Sequence, residues 1–218
     1  MIETKRLFKS AHKLSEALAK DVSGWLQSAI ATKGYAVLAV SGGSTPKPFF
    51  TALSKAVLDW SKVQVTLVDE RQVEEQSDRS NAKLVKENLM QGLAKAAQFV
   101  PLYQNPNAVN LSRFDVVILG MGNDGHTASF FPGGDNLQAA LDINQSHSII
   151  AMNAPNAGEP RLTFTLPRLL AARHLCLHIQ GNDKMAVLEK ALSSDDQLEM
   201  PVRAVLQSSK PLTLYWCP

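Results

Sequence analysis

The run G-M-G-N-D-G-H, from Gly120 to His126, concentrates the groups best suited to chemistry. An imidazole has an ordinary pKa of about 6.5, so His126 is the natural general base near neutral pH. Asp124 can orient that ring, hydrogen-bond a substrate, or cap the short helix-like piece expected between His126 and Pro132. The glycines let backbone approach a ligand closely. A second cluster, Asp69-Glu70-Arg71, reads either as a self-neutralising surface triplet or as the polar edge of a site. A third, S-G-G-S-T-P from Ser41 to Pro46, resembles a phosphate cradle. Gly42 and Gly43 allow close approach, Ser44 and Thr45 offer hydroxyls, and the helix that follows turns free N–H groups toward an anion. Arg161 and Lys184 could complete an anion site, although surface charge is the commoner fate of either residue type.

What is missing narrows the chemistry. The phosphate-like loop is neither G-x-G-x-x-G nor a Walker loop, which disfavours dinucleotides and nucleoside triphosphates. There is no G-x-S-x-G elbow, and neither Cys176 nor Cys217 lies in a glycine-rich loop. His12, His147, His174 and His178 show no metal-ligand spacing to one another or to the cysteines. Activation of water without a covalent intermediate, metal or cofactor is the simplest chemistry left.

These loops need a frame, and the pattern around them supplies one. Tyr35–Val40, Val63–Val68, Asp115–Leu119 and His174–Gln180 are apolar, β-branched runs of strand length. Phe99–Tyr103, Ser148–Met152, Arg161–Thr165 and Pro211–Trp216 read as further strands. Helices are expected over Ser10–Ala31, Lys47–Val57, Ser80–Met90, Asp183–Leu192 and Pro201–Gln207, with a short one from Pro167. The residues before Tyr35 read as one long helix. Turns are expected at Asn105-Pro106-Asn107, and a loop over Ala154–Pro160. This alternation implies an α/β fold with a mostly parallel sheet and helices on both faces. In such a sheet, loops at the carboxyl ends of the strands share one edge. No repeat or low-complexity linker interrupts the chain, so residues 1–218 are read as a single domain.

The composition is ordinary: 218 residues, 45% hydrophobic and 19% charged, with a formal net charge of +2. The basic residues are scattered, so no nucleic-acid or membrane surface is implied. No signal peptide and no run of about 20 apolar residues appears, and a cytoplasmic location is expected. Cys176 is expected to be core packing. A monomer or a homodimer is equally compatible with the sequence.

Taken together, S-G-G-S-T-P, D-E-R-x-V with S-N soon after, D-G-H-T-A-S-F-F-P-G, P-R-L-T and G-N-D-K resemble the 6-phosphogluconolactonase family, in order, from about Val37 to Lys190. The resemblance implies a metal-free hydrolase of a sugar-phosphate lactone in the oxidative pentose phosphate pathway. It also implies the Rossmann-like fold shared with glucosamine-6-phosphate deaminases. It assigns His126 as general base, Asp124 as its loop partner and Arg71 at the substrate. Asp69 belongs to the same D-E-R motif, and Gly42, Gly43, Ser44, Thr45, Arg161 and Lys184 fall at phosphate-holding positions. Glu74 stands where a proline is common, which puts the local loop shape in question. Deaminases resemble D-G-H-I-A-F-N-E-P and D-E-Y. Here Phe131 replaces the glutamate that assists ring opening and Arg71 the tyrosine, which favours the lactonase. A non-catalytic sugar-phosphate sensor is a further alternative, but such regulators usually carry a DNA-binding helix-turn-helix.

Overall fold

The computed structural model describes residues 1–105, 110–155 and 157–218. Most of the turn expected at Asn105-Pro106-Asn107, and Asn156 of the Ala154–Pro160 loop, lie outside the described residues. Ten strands and seven α-helices are named here in chain order: β1 (Ile2–Leu7), α1 (Ala11–Lys33), β2 (Ala36–Val40), α2 (Lys47–Leu53), β3 (Val63–Leu67), β4 (Asp69–Arg71), α3 (Asn81–Asn88), β5 (Gln98–Val100), β6 (Val116–Leu119), α4 (Leu137–Leu141), β7 (Ile149–Met152), β8 (Arg161–Phe164), α5 (Leu166–Leu170), β9 (His174–Gln180), α6 (Asn182–Leu192), α7 (Val202–Leu206) and β10 (Leu212–Cys217).

The apolar runs explain the main sheet. Every residue of β2 and of β6 is buried, as expected for parallel strands covered by helices on both faces. Seven strands pair in the order β1-β10-β9-β6-β2-β3-β5, and every pairing is parallel. From β2 the chain winds outward through β3 to β5, then returns to lay β6 on the other side of β2. The order therefore reverses between β2 and β6, the switch point where open α/β sheets form their ligand crevice. The loops leaving those two strands are S-G-G-S-T-P and G-M-G-N-D-G-H. Helices α1, α2 and α3 pack in one group, while α4 and α6 join α5 and α7 in another. Among the described residues, no helix is long and apolar enough to cross a membrane.

Three expectations need correction. The residues before Tyr35 are not one helix, because β1 precedes α1 and pairs in parallel with β10. Its I-E-T-K-R-L sequence hid it: an edge strand with one solvated face carries charge rather than an apolar run. D-E-R is not a loop at the end of β3. It forms β4, which pairs antiparallel with β8, and β8 pairs with β7, in a separate three-stranded sheet. The piece after His126 is not helical either. Ala128 takes a positive φ of 49°, and Thr127 and Phe130 form an antiparallel bridge. Asp124 therefore caps no helix.

Smaller differences have local causes. Helix α1 starts one residue inside Ser10, whose hydroxyl accepts from the Lys13 N–H at 3.3 Å, and it runs on to Lys33 before Gly34 closes it. Its buried stripe includes Leu26 but not the adjacent Trp25. Trp25 stacks instead on His174 at a centroid distance of 4.4 Å. Cys176 is buried as expected, and burial pushes its thiol pKa up.

Candidate active site

The two switch-point loops are tied to each other before any ligand is considered. Ser41 donates its backbone N–H to the Ile118 carbonyl at 3.0 Å. Its hydroxyl donates to the same carbonyl at 3.0 Å and accepts from the Gly120 N–H at 3.1 Å. Between the loops, the second sheet and α6 lies a cleft of about 270 Å³. Of the expected site residues, Gly42, Gly43, Ser44, Thr45, Asp69, Arg71, His126, Arg161 and Lys184 line it. Asp124 is not among the lining residues but reaches the site through His126.

That contact is short. Asp124 Oδ1 lies 2.6 Å from His126 Nδ1 and also accepts the His126 backbone N–H at 3.1 Å. With Nδ1 as donor, the lone pair sits on Nε2. Burial opposes ionisation of Asp124, but its bonds to the ring and backbone of His126 outweigh this and hold its pKa below the ordinary range. The loop closes with Gly122 N–H donating to the His126 carbonyl at 2.8 Å and Thr127 Oγ1 to the Gly120 carbonyl at 2.8 Å. Gly122 has to be glycine, since a Cβ there would overlap the His126 ring and the Asp124 carboxylate. On its other side, the ring packs on Phe131 at a centroid distance of 4.2 Å.

The second sheet supplies charge. Its register sets Arg71 opposite Arg161 and Asp69 opposite Thr163. Alternation along a strand puts Asp69 and Arg71 on one face and Glu70 on the other. Glu70 is spent on structure: its carboxylate accepts the N–H groups of Asn81 at 2.8 Å, Ala82 at 2.7 Å and Arg71 at 2.7 Å, fixing the start of α3. Burial raises its pKa, opposed by those same N–H groups. Asp69 accepts from Ser129 Oγ at 2.6 Å and lies 3.7 Å from Arg161.

Arg161 is no surface charge, being only 6% exposed. Its guanidinium lies 4.8 Å from the centre of the Phe131 ring and donates to the Ala157 carbonyl at 2.6 Å. Burial lowers its pKa, and Arg71 lowers it further against the pull of Asp69. Arg71 donates to the Arg79 carbonyl at 2.5 Å. The Nε groups of both arginines are buried without a partner among the described residues. Like charges directly opposite each other are destabilising, so this pair presents donor capacity that an anion would satisfy.

The Ser41–Pro46 loop is open in the same sense. Among the described residues, the N–H groups of residues 42–45 meet no protein acceptor. Gly42 is required because a Cβ would overlap the Asn81 side chain, which is held by the Asp69 carbonyl at 3.0 Å. Lys184 stands in the first turn of α6 with its pKa lowered by burial, against the attraction of Asp124 and Asp183. Ser41 of the cradle and Gln180 of the turn after β9 also line the cleft, as do Asn81 and His178, which the sequence alone does not single out as site residues. The S-N pair that opens α3 was a usable signal for Asn81. Among the described residues, no three His, Cys, Asp or Glu side chains cluster as a metal site.

Fold and site together define a Rossmann-like α/β protein with a sugar-phosphate-sized cleft at the switch point. The model of the family "Glucosamine-6-phosphate isomerases/6-phosphogluconolactonase" matches residues 9–216, and the chain belongs to that family. It is 51% identical over 226 residues to a 6-phosphogluconolactonase of Rhizobium meliloti (strain 1021), covering 97% of each chain. It is 42% identical to a 6-phosphogluconolactonase of Pseudomonas putida, covering 95% of this chain and 90% of that one. The crystal structure of a 6-phosphogluconolactonase from Shewanella baltica OS155 superposes with a TM-score of 0.95 at 39% identity, covering all of both chains.

Proposed function

We propose that this chain hydrolyses 6-phospho-D-glucono-1,5-lactone to 6-phosphogluconate, the lactone-opening step of the oxidative pentose phosphate pathway, with residues 1–218 acting as one domain. The observation that carries the reading is the His126–Asp124 pair set across one cleft from donors with no protein partner. The family also includes isomerases, and the wall behind the base separates the two activities. Phe131, buried and packed on the His126 ring, cannot relay the protons that sugar ring opening and deamination require. The names of the relatives above agree with the lactonase.

In the mechanism, Nε2 of His126 takes a proton from water as its oxygen attacks the lactone carbonyl. Asp124 accepts the Nδ1–H and stabilises the imidazolium that forms. Charge developing on the carbonyl oxygen is met by Arg71 or by N–H groups of the glycine loop, donors already in place before reaction. Collapse of the tetrahedral intermediate breaks the bond to the ring oxygen, which receives the proton from imidazolium. The net change is addition of one water to give a carboxylic acid and a hydroxyl, and the acid then releases its proton to solvent as the carboxylate. Ser41–Pro46, Arg161 and Lys184 hold the phosphate, and their binding energy positions the carbonyl. Asp69 holds Ser129 and Arg161 in place. Sugar phosphates are retained by membranes, so a cytoplasmic location belongs to the same proposal, and either a monomer or a homodimer is compatible with it.

A coupled assay of 6-phosphogluconolactone disappearance, with spontaneous hydrolysis subtracted, tests the reading. Enzyme-dependent turnover without added metal is expected, with the unphosphorylated gluconolactone a much poorer substrate. Loss of activity on chelation, restored by zinc or magnesium, or equal kcat/KM for both lactones, would overturn it.

A further inference from the structure

His178 has no place in the scheme above, yet it lines the same cleft. It stands near the carboxyl end of β9 and is 5% exposed. Its neighbours are apolar. Phe49, in the first turn of α2, meets the ring edge-on at a centroid distance of 6.1 Å. Across the strand its register partner is Tyr215, whose hydroxyl is occupied by Asp21 at 2.6 Å. Neither ring nitrogen of His178 has a hydrogen-bond partner among the described residues.

Neither nitrogen is among the side-chain atoms sealed from solvent without a partner, so both keep some solvent access, and the residue lines the cleft. A leucine or valine would continue the apolar pattern of H-L-C-L-H-I-Q, whereas an imidazole offers a donor and an acceptor there. Contact with Phe49 places the ring beneath the turn that Ser41–Pro46 feeds. Gly181, three residues on, opens the helix that carries Lys184. Residues 42–45, with their open N–H groups, and Lys184 line the same cavity as His178.

We propose that His178 is a further substrate-binding residue, donating a ring N–H to the phosphate group at the end of the cleft formed by the Ser41–Pro46 loop and Lys184. This rests on the lactonase reading and adds a residue to its anion site. Burial holds the His178 pKa down to about 4, so at neutral pH the ring is an uncharged donor. Lys184 supplies the charge, and His178 supplies direction. A carboxylate at this position would repel the anion, and an aliphatic side chain would leave one phosphate oxygen without a donor.

Inorganic phosphate is the probe. Titrated into the wild-type protein, it should shift the ring ¹H–¹⁵N resonances of His178. As a competitive inhibitor of lactone hydrolysis it should weaken roughly tenfold in His178→Phe, the scale of one hydrogen bond to a charged group. His178→Gln, which keeps an N–H donor, should recover part of that loss. Unchanged phosphate inhibition in a folded His178→Phe protein would overturn the proposal, as would ring resonances that ignore saturating phosphate. Should His178→Phe fail to fold, the resonance titration of the wild type decides alone. A wild-type protein without lactonase activity would defeat the functional reading, whereas a phosphate-induced shift at His178 would still report the anion site.

Discussion

The Gly120–His126 loop and the Ser41–Pro46 loop leave neighbouring strands at the same edge of the sheet, yet they are finished in opposite ways. The first is closed on itself. Asp124 takes both the ring and the backbone N–H of His126, Gly122 and Gly120 take up the loop's remaining bonds, and the ring is walled by Phe131. The second is open, the N–H groups of residues 42–45 lacking protein acceptors among the described residues, and in the same cleft the Nε atoms of Arg71 and Arg161 and both nitrogens of His178 lack partners as well. A group that moves protons works from one fixed geometry, so its bonds are made within the protein. A group that binds substrate has to keep a bond in reserve.

The contrast can be broken or sharpened by substitution. Removing a general base costs about 10²–10⁴-fold. His126→Ala is expected to lose turnover on that scale in steady-state assays while circular dichroism and Tm remain those of a folded protein. Near-wild-type kcat would erase the distinction.

The open region should show its cost in acid. His178 has a folded pKa of about 4 against an ordinary 6.5, so between those values the unfolded chain binds the proton and the folded one does not. Stability therefore rises with pH through this window; it is fully present above about 6.5 and falls by roughly 3 kcal/mol as pH drops toward 4. Denaturant unfolding of His178→Phe across the same range should show a shallower slope by that amount. An unchanged slope would place the acid sensitivity elsewhere.

Geometry in the closed loop comes next. Gly122→Ala sets a methyl group against the His126 ring. A displacement of about 1 Å can cost about 10²-fold, so kcat should fall on that scale with KM little changed. A selective rise in KM would mean that the loop binds rather than reacts. The smallest effect is expected from Lys184→Ala. Loss of one charge-assisted bond, about 1.5–3 kcal/mol, should raise KM for the phosphorylated lactone at least tenfold while sparing kcat.

The frame of this site was readable because parallel strands buried on both faces leave continuous apolar runs, and the loops that follow them carry glycine and charge. Gly42–Thr45, His126 and Lys184 reach one cleft, as a shared carboxyl edge requires, and Asp69, Arg71 and Arg161 reach it from the second sheet. What escaped notice depends on partners distant in sequence. Strand β1 exists only because β10 pairs with it, and D-E-R becomes a strand only because β8 lies antiparallel to it. The turn after His126 looked helical until Ala128 adopted its left-handed backbone. Glu70 looked like part of a charged surface cluster, and only the start of α3 shows that its carboxylate is already spent. His178 sat in an apolar run, and only Phe49 and the cleft give it meaning.

The measurement that bears most directly on the separation of the two regions is calorimetric titration of 6-phosphogluconate into wild-type protein and His126→Ala, alongside their turnover. The account predicts that the variant binds the product as the wild type does while its turnover collapses. Binding and turnover lost together in a folded variant would show that His126 belongs to the anion site, and the division of labour drawn here would be wrong.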